Sequence, residues 1–471
     1  METKIGQPTD VETMVGLPTE ALAKVGGDLD KKIYLIGGLL AILLIALVIF
    51  LFSRNTQKTP TNINNKIVIW DSFESEENLT EAFNQYKAQN KGIEIEYVKK
   101  DPAKYETDSI NAFAAGGGPD IWIIPNNWMP KHHDKLAILT ENKLDPKAKK
   151  TNSQVYQEAY LQAAGQDNII DNNVYGFPMF MDSLSLYDNN SLRSQKVRQY
   201  ISAHPNEDSL KINQTLGIPP ITWEVLSEQI KSFGENTIAL GDSTTVERSS
   251  DILVALMLQY GTKMTSDDKT QALFQAPINL FTETAYPGNK ALSFYTSFAK
   301  KDDSNYTWPA LESAYKSFTN GNLMMMIDYS QKQAELKKDT KISFLVTSLP
   351  QFKDSQNPIN LAYYQTMTVP KTSQNQDKAW NLIRYLSAGQ GQNKYLSKTG
   401  FSSALKENTI NSQAVLDIQN RSAQSWYNPD PGKVEVLFKN VIDQTRQGIN
   451  PQTVLEGAAA SVTKLLSELN P

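Results

Sequence analysis

The side chains that most often carry covalent chemistry are sparse in this chain. It has three histidines, His132, His133 and His204, and no cysteine. The missing cysteine removes disulfides, thiol nucleophiles and Cys-ligated zinc together. His132 and His133 are adjacent, so a helix would point them to different sides, and they lack the spacing of paired metal ligands. No HExxH, GxSxG or GxxxxGK[ST] pattern occurs. Gly116-Gly117-Gly118 follows a helical stretch and leads into a strand, the reverse of the order that cradles a phosphate. Carboxylate pairs stay open as acid–base candidates, because 51 Asp and Glu offer many combinations. These patterns call for no cofactor, metal or catalytic residue, and they move the balance from an enzyme toward a binding protein.

The elements that would position a binding site are clearer. Lys66-Ile67-Val68-Ile69-Trp70 reads as a buried strand, and Leu79, Ala82, Phe83 and Tyr86 then share one helical face. Ile93 to Val98 alternates as a strand, Ile110, Phe113 and Ala114 mark a second helix, and Asp120 to Ile124 is another apolar strand. Strand–helix–strand at this spacing predicts βαβ units and a largely parallel sheet. A second α/β set follows. Thr222 caps a helix carrying Leu226, Ile230 and Phe233, and Thr237 to Leu240 is a short strand. Asp251 to Tyr260 is an apolar helix stopped at Gly261. Leu323 to Asp328 and Ile342 to Thr347 are strands, and Ala379, Ile383 and Leu386 define a further helix. Asn450 and Pro451 open a terminal helix with an apolar stripe from Val454 to Leu469.

Ile33 to Phe52 breaks this pattern: it carries no charge and no proline. A helix of that length spans about 30 Å, the thickness of a bilayer's hydrocarbon core. It exceeds the h-region of a secretory leader, and no small-x-small site follows in Ser53 to Thr56, so an uncleaved anchor is expected. The expected organisation is a disordered cytoplasmic tail at 1–32, a transmembrane helix at 33–52, a linker at 53–65 and a folded domain at 66–471. The tail holds a short echo, Ile5 to Asp10 and Val15 to Glu20, too few copies to build a repeat fold. Basic residues on the two sides of the anchor nearly balance, so charge does not fix its orientation. The formal net charge of −5 argues against a nucleic-acid partner, which needs a strong Lys/Arg surplus.

Several motifs recur in an ordered series. They are Lys66 to Asp71, Ala114 to Ile121 (AAGGGPDI), and Tyr175-Gly176-Phe177-Pro178 followed by Asp182 to Asn189. Then come Thr222 to Leu226 (TWEVL), Phe318 to Met326, Leu349-Pro350, and Ala379-Trp380 through Tyr395 to Thr399-Gly400-Phe401. From Lys66 to Pro471 the chain resembles the family 1 extracellular solute-binding proteins of ABC importers, the maltose-binding-protein-like family. It departs from them in lacking the lipid-bearing cysteine, with the apolar segment in its place. The resemblance implies an α/β, two-lobed periplasmic-binding-protein-like (type II) fold with a hinge, preceded here by the single N-terminal transmembrane helix. It implies lobe 1 at about 66–180 and 350–401 and lobe 2 at about 181–349 and 402–471. It further implies a monomeric receptor at the cell membrane with its binding domain extracellular or periplasmic. Such a receptor closes on a small solute, most simply a sugar, and hands it to ABC permease subunits. A membrane-tethered glycan-acting enzyme and a ligand sensor subunit are the alternatives.

Ligands of open α/β sheets sit beyond the carboxyl ends of strands. That places Trp70 and Asp71, Asn126, Asn127 and Trp128, Tyr329, and Tyr364 and Gln365 as candidates. By the resemblance, Phe180 and Asp182 lie at the crossover between lobes. Trp426 and Tyr427 sit in a polar loop ending Asn428 to Pro431. Aromatic rings can stack on the C–H face of a sugar, while Asp, Asn and Gln meet its hydroxyls. Trp70 fits site and core equally. Trp128, Tyr329 and Trp426 stand beside polar loop residues and favour the site. Trp122, Trp223 and Trp380 sit within element patterns and are expected in the core; Trp308 is undetermined.

Overall fold

Lys66–Asp71 (β1) alternates half-buried and buried residues, as a strand with one face on the core must. The computed structural model describes residues 65–471 apart from 141–143, 145–146, 148, 280–283, 356, 410–411, 413 and 470–471. The expected tail, the Ile33 to Phe52 anchor and nearly all of the linker lie outside the described residues. Among the described residues no helix is long and apolar enough to cross a membrane.

Helix α1 (Glu76–Gln89) buries Leu79, Ala82, Phe83 and Tyr86, the four residues its spacing predicts. It leads to β2 (Glu94–Lys99), then α2 (Tyr105–Ala114) and β3 (Ile121–Pro125). Both β2 and β3 run parallel to β1. Of the expected face of α2, Ile110 and Phe113 pack on the apolar cluster with Tyr105 and Trp122, while Ala114 is exposed and Tyr105 and Ser109 are the fully buried positions. The Tyr105 hydroxyl lies within hydrogen-bond distance of the carbonyls of Trp70 (2.7 Å) and Ile123 (2.8 Å) and ties the helix to β1 and β3. After α2, Gly118 takes φ +119°, and a Cβ there would lie 2.8 Å from the Phe113 ring, so glycine is required.

The remaining strands are β4 (Gly176–Pro178), β5 (Asp182–Asn189), β6 (Met325–Tyr329), β7 (Phe344–Ser348), β8 (Asn360–Tyr363), β9 (Gln365–Thr368) and β10 (Ala423–Gln424), leaving aside two minor two-residue hairpins. The first sheet has the order β2-β1-β3-β9-β4 and the second β6-β5-β8-β10, with β7 also paired to β5. All eight residues of β5 are buried, although five of them are polar. They are tolerated because each has a partner. Ser183 Oγ donates to Asn420 (2.6 Å), Ser185 Oγ accepts from Gln419 (2.8 Å), and Asn189 Oδ1 accepts from the Leu192 amide (3.0 Å), capping α3 (Asn190–Ala203).

Thr222 caps α4 (Trp223–Phe233) through its hydroxyl, and α5 (Ser249–Gln259) ends before Gly261. Thr237 to Leu240 is not a strand. Only Ile238 bridges to Met325, and the chain then turns at Gly241, where φ is +89° and a Cβ would lie 2.6 Å from the Ala299 amide. The chain closes with α6 (Pro431–Arg446) and α7 (Pro451–Leu469), whose first turn is held by Asn450 Oδ1 accepting from the Gln452 amide at 2.9 Å.

Apolar side chains form one large core around the second sheet, two clusters around the first, and a small one of Val197, Ile212 and Leu216 at α3. The chain passes between sheets at Met179–Met181, at Tyr364 between β8 and β9, and around β10, where Ala423 packs with the first core and Trp426 against the second. The last two passages fall later than the expected limits at 350 and 402. Ladder pairs Ala362–Ser183 and Tyr363–Asp182 hold β8 to the second sheet. The Leu161 amide donates to the Ala404 carbonyl at 2.9 Å and keeps that segment with the first lobe.

Candidate functional site

A cavity of about 340 Å³ opens between the two lobes. That lies within the ~300–1,000 Å³ range of small-molecule sites. On the first lobe, β3 runs into a tight turn at Asn126–Trp128, which delivers Asn127 and Trp128 to the cavity from the carboxyl end of a parallel strand. On the second lobe, β6 ends at Tyr329, and the N-terminus of α5 brings Arg248 and Asp251. Tyr363, at the end of β8, and Trp426, beyond β10, complete the aromatic lining.

The second-lobe wall is held by charge and ring contacts. Arg248 Nε donates to Asp328 Oδ1 at 2.8 Å, and its guanidinium lies 5.1 Å from the Tyr329 ring centre. Tyr329 and Tyr363 stack with centroids 4.7 Å apart and planes at 29°. Burial pushes the Asp251 carboxyl up, while Arg248 and the Tyr329 hydroxyl oppose that shift. Burial also pushes the Tyr329 and Tyr363 phenols up, so both stay neutral donors.

A salt-bridged bar crosses between the lobes. Lys131 Nζ reaches Glu106 Oε1 (2.7 Å) in its own lobe and Asp430 Oδ2 (3.2 Å) in the other. His132 Nε2 also meets Glu106 at 2.9 Å. The His132 hydrogen bond, joined by Lys131, holds the Glu106 carboxyl down at about 2, so it is ionised at neutral pH. Asp167 ties the passages together behind Asn126 and Ser425, which line the cavity. Its Oδ2 accepts from Asn126 Nδ2 (2.9 Å), the Tyr364 hydroxyl (2.7 Å) and Ser425 Oγ (2.8 Å), while burial pushes its carboxyl up to about 6.

Of the twelve expected site residues, Asn126, Asn127, Trp128, Tyr329 and Trp426 line the cavity. The other seven do not, and each has a different occupation. Trp70 is half-buried under Lys100 Nζ, 3.6 Å from its ring centre. Asp71 is buried and accepts from the Phe73 amide (2.7 Å) and the Tyr97 hydroxyl (3.0 Å), fixing the turn after β1. Phe180 is a core residue between Phe73 and Phe401, with ring centroids at 5.6 and 4.6 Å. Asp182 accepts from Ser330 Oγ (2.6 Å) and the Gln331 amide (2.9 Å), pinning β5 to the turn after β6. Tyr364 is fully buried on Asp167. Gln365 stands behind the lining, its Nε2 donating to the Tyr363 hydroxyl at 3.3 Å. Tyr427 lines a neighbouring cavity, where Lys269 Nζ is 5.9 Å from its ring centre.

Trp122, Trp223 and Trp380 are buried as expected, and Trp308 joins them, its Nε1 donating to Thr245 Oγ1 at 2.9 Å. Sequence reasoning missed Glu106, Arg248, Asp251 and Glu435, all in the cavity wall. Of the candidate stretch Tyr363-Tyr364-Gln365, only Tyr363 lines the cavity: along a strand its side chain must face opposite to that of Tyr364, so only one of the two could reach it.

A family model for bacterial extracellular solute-binding proteins matches residues 81–412. Solved structures share the fold at low identity. The sugar-binding protein MalE of Xanthomonas citri is 16% identical, with a TM-score of 0.67 over 86% of this chain and 98% of that one. The cyclic α-maltosyl-1,6-maltose binding protein of Arthrobacter globiformis is 15% identical, with a TM-score of 0.68 over 86% and 99% of the two chains. An ABC transporter solute-binding protein of Thermotoga lettingae bound to α-D-tagatose is 18% identical, with a TM-score of 0.63 over 85% and 99%. No curated protein sequence matches the chain.

Proposed function

The chain belongs to the bacterial extracellular solute-binding proteins, and from that premise we propose that it captures a saccharide in the interlobe cavity and delivers it to an ABC-type permease. The observation that carries this reading is the cavity wall. Trp128, Tyr329, Tyr363 and Trp426 line a space edged by Asn127, Arg248 and Asp251, and that mixture suits the apolar faces and hydroxyls of a sugar. The solved relatives named for maltose-type oligosaccharides and tagatose favour the same class. Lys131 bridging Glu106 and Asp430 would hold the lobes together around the ligand.

A saccharide screen by thermal unfolding of the full chain tests the proposal. A true ligand at 100 times its Kd should stabilise by about 2.7 kcal/mol. If no mono- or oligosaccharide moves the transition, the sugar assignment falls.

We further propose that Ile33 to Phe52 anchors the receptor as a single-pass helix, with residue 66 onward outside the cell and the protein acting as a monomer. The full-length chain should then fractionate with membranes and keep residue 1. A mature N-terminus between Ser53 and Lys66 would replace the anchor with a cleaved leader.

A further inference from the structure

Four charged side chains line the cavity: Glu106, Arg248, Asp251 and Glu435. Three of the four already have counter-charges. Glu106 is met by Lys131 and His132, Arg248 by Asp328 at 2.8 Å, and Glu435 by Lys439 at 2.6 Å on the helix surface. Asp251 is different. Among the described residues no cationic nitrogen lies within 4 Å of its carboxylate, and the one nearby cation, Arg248, is committed to Asp328.

A second acceptor is open on the opposite wall. Asn127 Oδ1 is buried and has no hydrogen-bond partner within the protein. The Asp251 carboxylate takes one hydrogen bond from the Tyr329 hydroxyl and has room for further donors, the orphaned amide oxygen has none, and the carboxylate also asks for positive charge. Trp128, Tyr329, Tyr363 and Trp426 line the same space, and electron-rich rings favour a cation in a partly dehydrated site. A neutral hydroxyl would satisfy the hydrogen bonds but leave Asp251 with only the Arg248 guanidinium, itself bound to Asp328, as counter-charge. An ammonium group supplies three donors and the missing charge at once.

We propose that the cavity selects a saccharide bearing a protonated amino group, with Asp251 as the counter-charge and the aromatic wall around it. This rests on the cavity being the saccharide site.

The test uses matched pairs that differ by an amino group in place of a hydroxyl: glucosamine against glucose, galactosamine against galactose, and the β-1,4-linked glucosamine disaccharide against cellobiose. Affinities for the full chain are measured by titration calorimetry at about pH 7, where a large share of an aliphatic amine of this kind is charged. The aminated member of at least one pair should bind about tenfold tighter or more. Asp251→Asn should remove that preference, read as the ratio of affinities within a pair, and its thermal unfolding transition reports that the variant is folded. Glu228→Gln, an exposed acid outside the cavity that is paired with Lys231 at 2.8 Å, should keep the preference. Equal affinities within every pair, tighter binding of the neutral members, or an undiminished preference in Asp251→Asn overturns the assignment. Failure of every aminated sugar to bind overturns it as well. If neutral sugars bind while aminated ones do not, the receptor reading stands and this assignment alone fails. If no sugar of either kind binds, the saccharide reading fails with it.

Discussion

Arg193→Ala is expected to cost about 3–5 kcal/mol of folding stability, the usual cost of leaving one partner of a buried ion pair alone. Arg193 is 1% exposed and Asp188 fully buried. Its Nε donates to both Asp188 oxygens, at 3.0 and 2.8 Å, and its Nη1 donates to the Leu216 carbonyl (2.9 Å) and to Gln229 Oε1 (3.1 Å). One guanidinium thus links β5, the segment after α3 and α4. Burial pushes the Asp188 carboxyl up and Arg193 holds it down. Removing the arginine strands a carboxylate on the central strand of the second sheet, beside Met325 at the start of β6, the strand that ends at Tyr329 in the cavity wall. The double variant Arg193→Met with Asp188→Asn should recover part of the loss, because no unpaired charge remains. Denaturant unfolding of the three proteins measures it. A loss below about 1 kcal/mol for Arg193→Ala would mean that water or a rearranged partner reaches Asp188.

Much of this architecture could be read from residue order, and the reasons are local. Strand β1, helix α1 and the Thr222 cap rest on periodicity and on short-range hydrogen bonds, so neighbouring residues suffice to specify them. The sheet passages depend on which strand pairs with which. Nothing around Tyr364 reveals that Ala362 lies opposite Ser183. The site divides along the same line. Asn127 and Trp128 follow an apolar parallel strand and were legible from that position alone. Asp71 and Asp182 end or begin strands in a similar way, yet their carboxylates are spent on backbone amides and hydroxyls. An Asp that fixes a turn and an Asp that faces a cavity have the same sequence neighbourhood. Asp251 opens the apolar stretch expected as a helix, and Arg248 stands just ahead of that helix's first turn. Their role at the cavity comes only from the long-range placement of Asp328 and Tyr329 against them.

Trp426→Ala is expected to weaken saccharide binding by about 2–4 kcal/mol, the range of a hot-spot aromatic, with a smaller change in stability. Trp426 is half-buried, packs on the second-lobe core near Phe438 at 6.4 Å between centroids, and lines the cavity. Trp128 lines the same cavity from the first lobe, so the two rings approach a ligand from different lobes and can clamp it when the lobes are together. They will not respond alike to truncation. Trp128 sits in a ring cluster with Tyr105 and Trp122, each 6.1 Å away, and His132 at 5.7 Å. Trp128→Ala should therefore lower both affinity and stability, since it opens a hole in a packed cluster as well as removing a ligand contact. Trp223, 1% exposed, supplies the comparison: Trp223→Ala should cost ~3–5 kcal/mol of stability and leave affinity per folded molecule unchanged. Unfolding curves and calorimetric titrations on the three variants separate the roles. If Trp426→Ala unfolds as easily as Trp223→Ala while the folded fraction binds with wild-type affinity, the ring belongs to the core and the ligand must lie elsewhere.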